Sequence, residues 1–328
     1  MNRTGMRAGA IDIGSNSIRL LVIEAVDGAE PSAIVRAGEA CRLGRGLDRT
    51  GVIDPDTAGR ASEIVADFAR RARQLGATHL VVGATAAIRE AANGAEVAGQ
   101  IRERCGFPVR VLSGDEEARL VYQSVVLGLG SMARRNPSVV FDLGGGSTEI
   151  VSGMGDRPGR WVSLRMGAVT LTERFLRSNP PTDNEMAELD GFVDQELMHH
   201  CALMPERTPI LAGVGGTVTV LASLDRGLEA YDPTLLEGWT IDTARLAALI
   251  RRVVTASEDE RSHWTVMGAG RSDIIVAGVL VVGRIAARFP SRGLVCSTQG
   301  LRFGLARLAL GELRDSMKGP TGPADLGH

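Results

Sequence analysis

Lysine is almost absent from this sequence of 328 residues. Of its 37 basic residues, Lys318 is the single lysine, so the other 36 (37 minus 1) are arginines. A Walker A phosphate loop, a Schiff base or a lysine general base is therefore not expected. If this protein binds phosphate, arginine side chains, backbone amides, hydroxyls and a metal ion must do so.

Cysteines, aromatic residues and long apolar runs are also scarce. The four cysteines form no Cys-x-x-Cys pair, which argues against a zinc knuckle or a redox dithiol. Aromatic residues make up 4% of the chain, too few for a base-stacking surface. The longest apolar run, residues 274–283, is well short of the roughly 18 residues of a membrane span, and no signal-peptide core precedes Asp12.

What remains is the composition of a globular protein. The formal net charge is −2, 44% of the residues are hydrophobic, and the length corresponds to about two domains. We therefore expect a cytoplasmic protein that has neither a nucleic acid nor a membrane as its partner.

Strands alternate with helices along the chain. Residues 10–13 and 19–24 read as a hairpin around a polar turn, and an amphipathic helix follows at residues 56–75. Ser113 and Glu116 form a capping-box signature for a helix that reaches about Leu127. This alternation predicts an α/β fold with mixed or parallel sheets, and residues 128–138 read as a connector between two domains.

One short pattern occurs twice. Asp-Ile-Gly-Ser-Asn-Ser begins at Asp12 and Asp-Leu-Gly-Gly-Gly-Ser begins at Asp142, 130 residues apart (142 minus 12). Each copy lies between two apolar segments that read as strands. The repeat predicts a duplicated fold whose halves face each other across a cleft.

The glycine-rich turns are candidate phosphate sites. Glycine permits the positive φ angles that turn successive amides toward one anion, and three such turns occur, at residues 14–17, 144–147 and 213–217. Each turn alone is also compatible with an ordinary tight hairpin. Together they predict a phosphate clamp that includes Gly144 and Gly216.

Acidic and basic side chains accompany these turns. Asp12 and Asp142 precede the first two turns and are candidate Mg²⁺ ligands, although an aspartate that caps its own turn is the simpler alternative. Glu149 can return to the mouth of the second turn, and Glu116 or Glu117 can act from the first turn of a helix. Arg19, Arg89, Arg119 and Arg165 lie in or near the turns, where a guanidinium suits phosphate.

Six ordered motifs resemble the exopolyphosphatase and guanosine pentaphosphate phosphohydrolase family, within the actin, Hsp70 and sugar-kinase superfamily. The resemblance extends from Arg7 to about Leu313. The motifs are AIDIGSNSIRLLV at 10–22, GATAAIREAAN at 83–93, LSGDEEARLVY at 112–122, VVFDLGGGSTEIV at 139–151, GVGGTVT at 213–219 and STQGLRFGL at 297–305.

The resemblance implies two actin-like, ribonuclease-H-like domains with mixed sheets flanked by helices and an active site in the cleft between them. Domain I would comprise residues 7–127 and 301–315, domain II residues 128–300, and a flexible tail residues 316–328. It implies Mg²⁺-dependent hydrolysis of a terminal phosphoanhydride, with Mn²⁺ as an alternative metal. A homodimer is compatible with it.

The resemblance also implies roles for individual residues. Glu117 looks like the catalytic base, and Asp142 and Glu149 look like catalytic carboxylates that organise metal and water; Asp12 is our third candidate metal ligand. Phosphate would be bound by Ser15, Asn16, Ser17, Arg89, Gly145, Gly146, Ser147 and Thr217. Arg19, Gly144 and Gly216 are further candidates, because they lie in or beside the glycine turns.

The substrate stays open at this point. Inorganic polyphosphate is our first choice and guanosine pentaphosphate the alternative, and the sequence has no histidine- and aspartate-rich helical extension that would suggest a processive grip on long chains. A phosphotransferase of the same superfamily, or a protein that binds polyphosphate or guanosine tetraphosphate without hydrolysis, remains a further alternative.

Overall fold

Two mixed β-sheets with the same core topology form the framework of the molecule. The computed structural model describes residues 5–26, 29–268 and 270–318. The first sheet has the order β3-β2-β1-β4-β5 and the second β10-β11-β9-β6-β7-β8. The strands are β1 (Met6–Ile13), β2 (Ser17–Ala25), β3 (Ser32–Ala40), β4 (His79–Ala84), β5 (Val109–Val111), β6 (Pro137–Leu143), β7 (Thr148–Met154), β8 (Arg157–Leu164), β9 (Ile210–Val214), β10 (Thr240–Asp242) and β11 (Gly293–Cys296).

The duplication expected from the sequence is visible in the strand pairing. In each sheet an antiparallel meander, β1-β2-β3 or β6-β7-β8, is extended by parallel strands, β4 and β5 or β9 and β11. Asp12 lies opposite Arg19 in the first hairpin, and Asp142 lies opposite Glu149 in the second. The mixed α/β fold with helix-flanked sheets is therefore confirmed.

Helices cover the sheets and connect their parallel strands. They are α1 (Leu47–Thr50), α2 (Pro55–Gln74), α3 (Ala86–Glu90), α4 (Gly94–Cys105), α5 (Gly114–Leu129), α6 (Ser131–Arg134), α7 (Ala168–Phe175), α8 (Asp183–His200), α9 (Gly216–Asp225), α10 (Pro233–Leu236), α11 (Thr243–Thr255), α12 (Glu258–Ser262), α13 (Ile275–Arg288) and α14 (Leu301–Lys318).

Local sequence signals explain where the main helices begin. Asp54 caps α2 by accepting a hydrogen bond from the Thr57 nitrogen, and proline occupies the first helical position, where no amide hydrogen is needed. Ser113 and Glu116 form the capping box of α5 that the sequence predicts. Within the described part of the chain, none of these helices combines the length and apolar character required to cross a bilayer.

Some elements differ from the sequence-based expectation. The sequence analysis missed β3, because it is an edge strand whose residues are mostly exposed or half-buried. The connector expected at residues 128–138 is largely occupied by the end of α5, by α6 and by the first residues of β6. The third glycine turn is shorter than expected, since β9 runs to Val214 and α9 begins at Gly216.

The last helix also differs from expectation. It continues to Lys318, past the predicted end of domain I at residue 315, so residues 316–318 of the predicted flexible tail are helical. Residues 319–328 lie outside the described residues. This helix, α14, packs against β1, β2, β4 and α5, all in the first half of the chain. The proposed domain boundaries stay a prediction.

Three apolar clusters hold the layers together. One lies between the first sheet and α2 and α4, and another lies between the second sheet and helices that include α8 and α13. The third contains residues of α5 and α14 together with residues of both sheets, among them the fully buried Tyr122. Because α5 belongs to this shared cluster, its first turn is held at the boundary between the two halves.

A close backbone approach makes Gly167 a sensitive position. A side chain there would begin 2.2 Å from the carbonyl carbon and oxygen of Gly145, in the second glycine turn. We expect Gly167→Ala to lower the free energy of unfolding by about 1–3 kcal/mol, the usual cost of overpacking. Urea unfolding measures the difference.

Gly191 in α8 provides the matched control, because no atom lies within 4 Å of the position a side chain would take. Alanine there should leave stability unchanged or raise it by up to about 1 kcal/mol. Equal unfolding midpoints for Gly167→Ala and the native protein would contradict the steric argument.

Candidate active site

The first and second glycine turns face each other and are in contact. A side chain on Gly145 would begin 3.1 Å from the backbone nitrogen of Asn16, and one on Gly146 would begin 2.7 Å from the Ser15 hydroxyl. A side chain at either position would require the facing atoms to shift, so glycine favours this close approach. The turns therefore converge on one region, as the duplication suggested.

Both turns have the same internal geometry. The Gly14 nitrogen donates to the Ser17 carbonyl oxygen at 3.1 Å, and the Gly144 nitrogen donates to the Ser147 carbonyl oxygen at 3.0 Å. Contrary to expectation, none of the glycines in these two turns has a positive φ; in the third turn Gly215 does, at 106°. Glycine serves close approach in the first two turns and backbone conformation in the third.

A cleft cavity of about 90 Å³ lies where the three turns meet. Its wall also contains residues outside the predicted set, among them Thr85, Gly215, Arg271 and Leu301. The predicted site residues that line the cavity are Asp12, Ser15, Asn16, Ser17, Arg19, Glu117, Asp142, Gly144, Gly145, Gly146, Ser147, Glu149, Gly216 and Thr217.

Two of these predicted phosphate ligands, Asn16 and Thr217, also contact other segments of the chain. The side-chain nitrogen of Asn16 donates to the carbonyl oxygen of Gly270 at 3.3 Å, across the cleft. The Thr217 hydroxyl faces Gly278 of α13, where a side chain would begin 2.3 Å from it. Close to the Asn16 contact, Arg42 and Asp273 form an ion pair at 3.0 Å that also joins the two halves.

Four carboxyl groups share the cavity wall. Asp12, Glu117 and Glu149 are buried and Asp142 is half-buried. Burial raises the pKa of each, and for Asp142 and Glu117 the negative charge of Glu149 adds to the rise, so that their pKa values reach about 7 and about 9. So concentrated a set of buried acids requires protons or a cation.

The two glutamates at the start of α5 point to different environments. Glu116 is used by the capping box, where its carboxylate accepts from the Ser113 nitrogen at 3.0 Å, and it pairs with Arg110 at 2.5 Å. The backbone bond from Ser113 is the main reason why the pKa of Glu116 is lowered. Glu117 turns inward, lines the cavity and pairs with Arg89. This geometry favours Glu117 over Glu116 as the reacting carboxylate.

Glu149 is oriented from two sides. Ser163, its cross-strand neighbour on β8, donates its hydroxyl to the Glu149 Oε1 atom at 2.7 Å. Ser147 supplies a second side-chain hydrogen bond, and both bonds counteract the rise that burial causes in the pKa of Glu149. Ser163 was not identified from the sequence.

Three arginines considered from the sequence do not line the cavity. Arg119 lies over the Trp161 ring at 5.9 Å, and Arg165 pairs with Glu90 at 2.8 Å and with Asp48 at 3.3 Å. Arg89 contacts Glu117 instead. Of the four candidates, only Arg19 belongs to the cavity wall, because its strand β2 leads out of the first turn.

The sequence analysis also missed a cluster of arginines beside the cleft cavity. A second cavity of about 250 Å³, here called the arginine cavity, shares Asp12, Asp142 and part of the third turn with the first. Its cationic residues are Arg19, Arg36, Arg271 and Arg302.

Two of these arginines, Arg271 and Arg302, are half-buried and form no ion pair with a carboxylate in the described ranges. Burial lowers the pKa of both to about 10, and for Arg302 the charge of Asp12 partly opposes this change. Arg302 belongs to a recognised motif and Arg271 follows a glycine-rich stretch, so each could have been suspected from its position.

The acidic wall fits a hard cation better than a softer metal. Among the residues that the structure describes, no three histidine, cysteine, aspartate or glutamate side chains form a ready-made metal cage. Mg²⁺ commonly takes one or two carboxylates and completes its shell with water and substrate phosphate. Asp142, with Glu149 and Asp12 nearby, offers oxygen ligands of this kind beside the phosphate-sized turns.

The fold is that of a two-domain, actin-like enzyme, and its cleft brings together glycine turns, carboxyl groups and arginines suited to phosphate. The model of the Ppx/GppA phosphatase family matches residues 21–311, and the chain belongs to that family.

Named relatives and solved structures agree with this membership. Exopolyphosphatase 2 of Mycobacterium tuberculosis is 33% identical over 297 residues, which span 87% of this chain and 92% of the relative. Exopolyphosphatase 1 of Mycobacterium leprae is 32% identical over 280 residues, 84% of this chain and 81% of the relative.

Among solved structures, an exopolyphosphatase-like protein has a TM-score of 0.86 and 29% identity, with 94% of this chain and 99% of that chain covered. The Aquifex aeolicus member of the Ppx/GppA family has a TM-score of 0.78 and 28% identity, with 94% and 98% covered.

The raised pKa of Asp142 makes stability depend on pH. Its folded value of about 7 exceeds the ordinary 3.8, so its contribution is fully present below pH 3.8 and is lost as the pH rises through 7. We expect Asp142→Asn to gain stability over the native protein across this range, by a few degrees in Tm at neutral pH with EDTA. Thermal unfolding at several pH values measures it.

The same series in excess Mg²⁺ serves as the control. A bound cation replaces the proton, so the native protein should recover stability at neutral pH while Asp142→Asn recovers less. Parallel Tm curves for the two proteins in EDTA from pH 4 to pH 7.5 would contradict the assignment of Asp142 as a buried acid that needs a cation.

Proposed function

We propose that this protein is an exopolyphosphatase, which uses water to remove the terminal phosphate of inorganic polyphosphate as orthophosphate. The proposal rests on the juxtaposition of three glycine turns, four acidic side chains and half-buried arginines around connected cavities. The exopolyphosphatase names of two relatives at 32–33% identity support the same activity.

The terminal phosphate would bind between the first two turns. Backbone amides and the hydroxyls of Ser15, Ser17 and Ser147 would hold its oxygens, with Arg19 as the nearest cation in the wall. Phosphoryl transfer depends on positioning and charge neutralisation more than on covalent catalysis, and rigid amides provide both.

Glu117 would act as the general base. It lies in the cavity wall at the rigid start of α5. Its pKa of about 9 means that the carboxyl group holds a proton at neutral pH. Neutralisation of the neighbouring acidic charge would lower this pKa and leave the carboxylate free to accept a proton. Mg²⁺, held by Asp142 with Glu149 and Asp12, would supply that neutralisation and would also balance charge on the phosphate. Glu117 would then orient a water molecule and take its proton.

The remaining phosphates would extend into the arginine cavity. Arg19 and Arg271 line both cavities, while Arg36 and Arg302 line the arginine cavity. A buried guanidinium without a carboxylate is costly, so these residues favour a ligand with several negative charges. A polyphosphate chain has that property at every unit.

Guanosine pentaphosphate is the second candidate substrate. Tyr231 also lines the arginine cavity and is partly exposed, so its ring offers a surface on which a purine can stack. Guanosine tetraphosphate would occupy the same place as product or inhibitor.

Purified protein tests the proposal directly. With Mg²⁺, it should release orthophosphate from inorganic polyphosphate, and Glu117→Gln should lower kcat by about 100-fold or more while substrate still binds. A substrate panel of short polyphosphate, long polyphosphate and guanosine pentaphosphate, scored by released phosphate, separates the two candidates.

Glu116→Gln is the matched control, because glutamine also completes a capping box and Glu116 does not line the cavity. Its kcat should stay near the native value. Phosphate release from guanosine pentaphosphate alone would make the nucleotide the substrate, and native turnover by Glu117→Gln would remove Glu117 from its role.

The arginine cavity makes a separate prediction about chain length. Arg302→Met should raise the KM for long polyphosphate by about tenfold and change the KM for tripolyphosphate much less. Because Arg302 has no carboxylate partner in the described structure, the substitution should not lower Tm.

Exposed Arg292, which lines neither cavity, is the control for general loss of positive charge. Arg292→Met should leave both KM values unchanged. An Arg302→Met protein with the native KM for long polyphosphate would place the bound chain elsewhere.

A further inference from the structure

Arg89 contacts the candidate base and not the cavity. It lies in α3, the short helix that follows β4, and its side chain is 25% exposed. Whereas Glu117 lines the cleft cavity, Arg89 is absent from the cavity wall. The resemblance implied a role in phosphate binding for Arg89, and its position favours a different one.

The contacts of Arg89 connect it to the start of α5 at two points. Its Nη1 atom donates to the carbonyl oxygen of Leu112 at 2.8 Å, and the same group pairs with the Oε1 atom of Glu117. Leu112 directly precedes Ser113, the N-cap of α5. One guanidinium therefore holds both the entry of the helix and the side chain at its fourth position.

The charge of Arg89 is balanced mainly by Glu117. The other carboxylate nearby, Glu90, is 3.9 Å away and is closer to Arg165, at 2.8 Å. Glu117 is only 5% exposed, so Arg89 supplies the counter-charge that favours the ionised form of this buried carboxyl group. The attraction to Arg89 opposes the rise in the pKa of Glu117 that burial and Glu149 cause.

We propose that Arg89 is a positioning residue for Glu117: it occupies the Oε1 atom and so leaves the Oε2 atom to accept the proton of the attacking water. This inference rests on the proposed hydrolysis and adds to it the residue that aims the base. A planar guanidinium is suited to the task, because it bonds a carbonyl and a carboxylate in fixed directions.

The two roles for Arg89 differ in the kinetic parameter that changes. A positioning residue acts after substrate has bound, so Arg89→Met should lower kcat by about 100-fold and change KM by less than about threefold. Arg89→Lys keeps the charge but loses the fork, so its kcat should lie between those of the native protein and Arg89→Met. If Arg89 instead bound phosphate, its substitution would raise KM.

A double-mutant cycle with Glu117→Gln separates action through Glu117 from any general disturbance. If Arg89 acts through Glu117, adding Arg89→Met to Glu117→Gln should change kcat by less than about threefold. This double variant also removes the buried carboxylate that Arg89→Met alone leaves unpaired, so it keeps the test valid if the single variant folds poorly.

Arg110→Met is the matched control, because Arg110 forms the same type of ion pair with the adjacent Glu116 at 2.5 Å, outside the cavity. Its kcat and KM should remain near the native values. A tenfold rise of KM in Arg89→Met with kcat retained, or a fully multiplicative loss in the double variant, would overturn the proposal.

Binding without turnover separates failure of this inference from failure of the proposed function. If the native protein released no phosphate from polyphosphate, the proposed function would be wrong. Calorimetric titration with pyrophosphate and Mg²⁺ would still test whether Arg89 binds phosphate. An affinity of Arg89→Met within about threefold of native supports positioning, and a loss of about tenfold or more makes Arg89 a phosphate ligand.

Discussion

Uncompensated charge of both signs, concentrated in one cleft, is the physical constraint on which the site depends. The charges of Glu149 and Asp12 add to the rise that burial causes in the pKa of Glu117 and of Asp142. Half-buried Arg271 and Arg302 form no ion pair with a carboxylate in the described structure. A divalent cation together with a chain of phosphates would supply charge of both signs to the two connected cavities, which share Asp12 and Asp142.

The duplicated fold is what allows these charges to be held so close together. Each hairpin places an aspartate immediately before its turn, at the same edge of its sheet, and the two turns then meet through glycines that leave no room for side chains. Helix α5 brings Glu117 to this point from a core cluster shared by both sheets. The architecture therefore positions the groups before any ligand binds, as catalysis by positioning requires.

Much of this arrangement could be predicted from local sequence. The repeated turn, the capping box at Ser113 and the ordered motifs indicated the fold, the cleft and most of its lining. Contacts between separate elements could not be derived in the same way: Ser163 reaches Glu149 across a strand pair, and Arg271 reaches the cavity from the segment before α13. The physical reason for the turn glycines was wrong for the first two turns, where no glycine has a positive φ and Gly145 and Gly146 closely approach the first turn, and right for the third, where Gly215 has a positive φ.

A crystal structure with Mg²⁺ and a non-hydrolysable imido-polyphosphate would show where the substrate lies. We expect the terminal phosphate to be bound by amides of residues 14–17 and 144–147 together, with the metal against Asp142 and the following phosphates beside Arg271 and Arg302. A terminal phosphate bound by one turn alone, or a chain that lies outside the arginine cavity, would contradict this expectation.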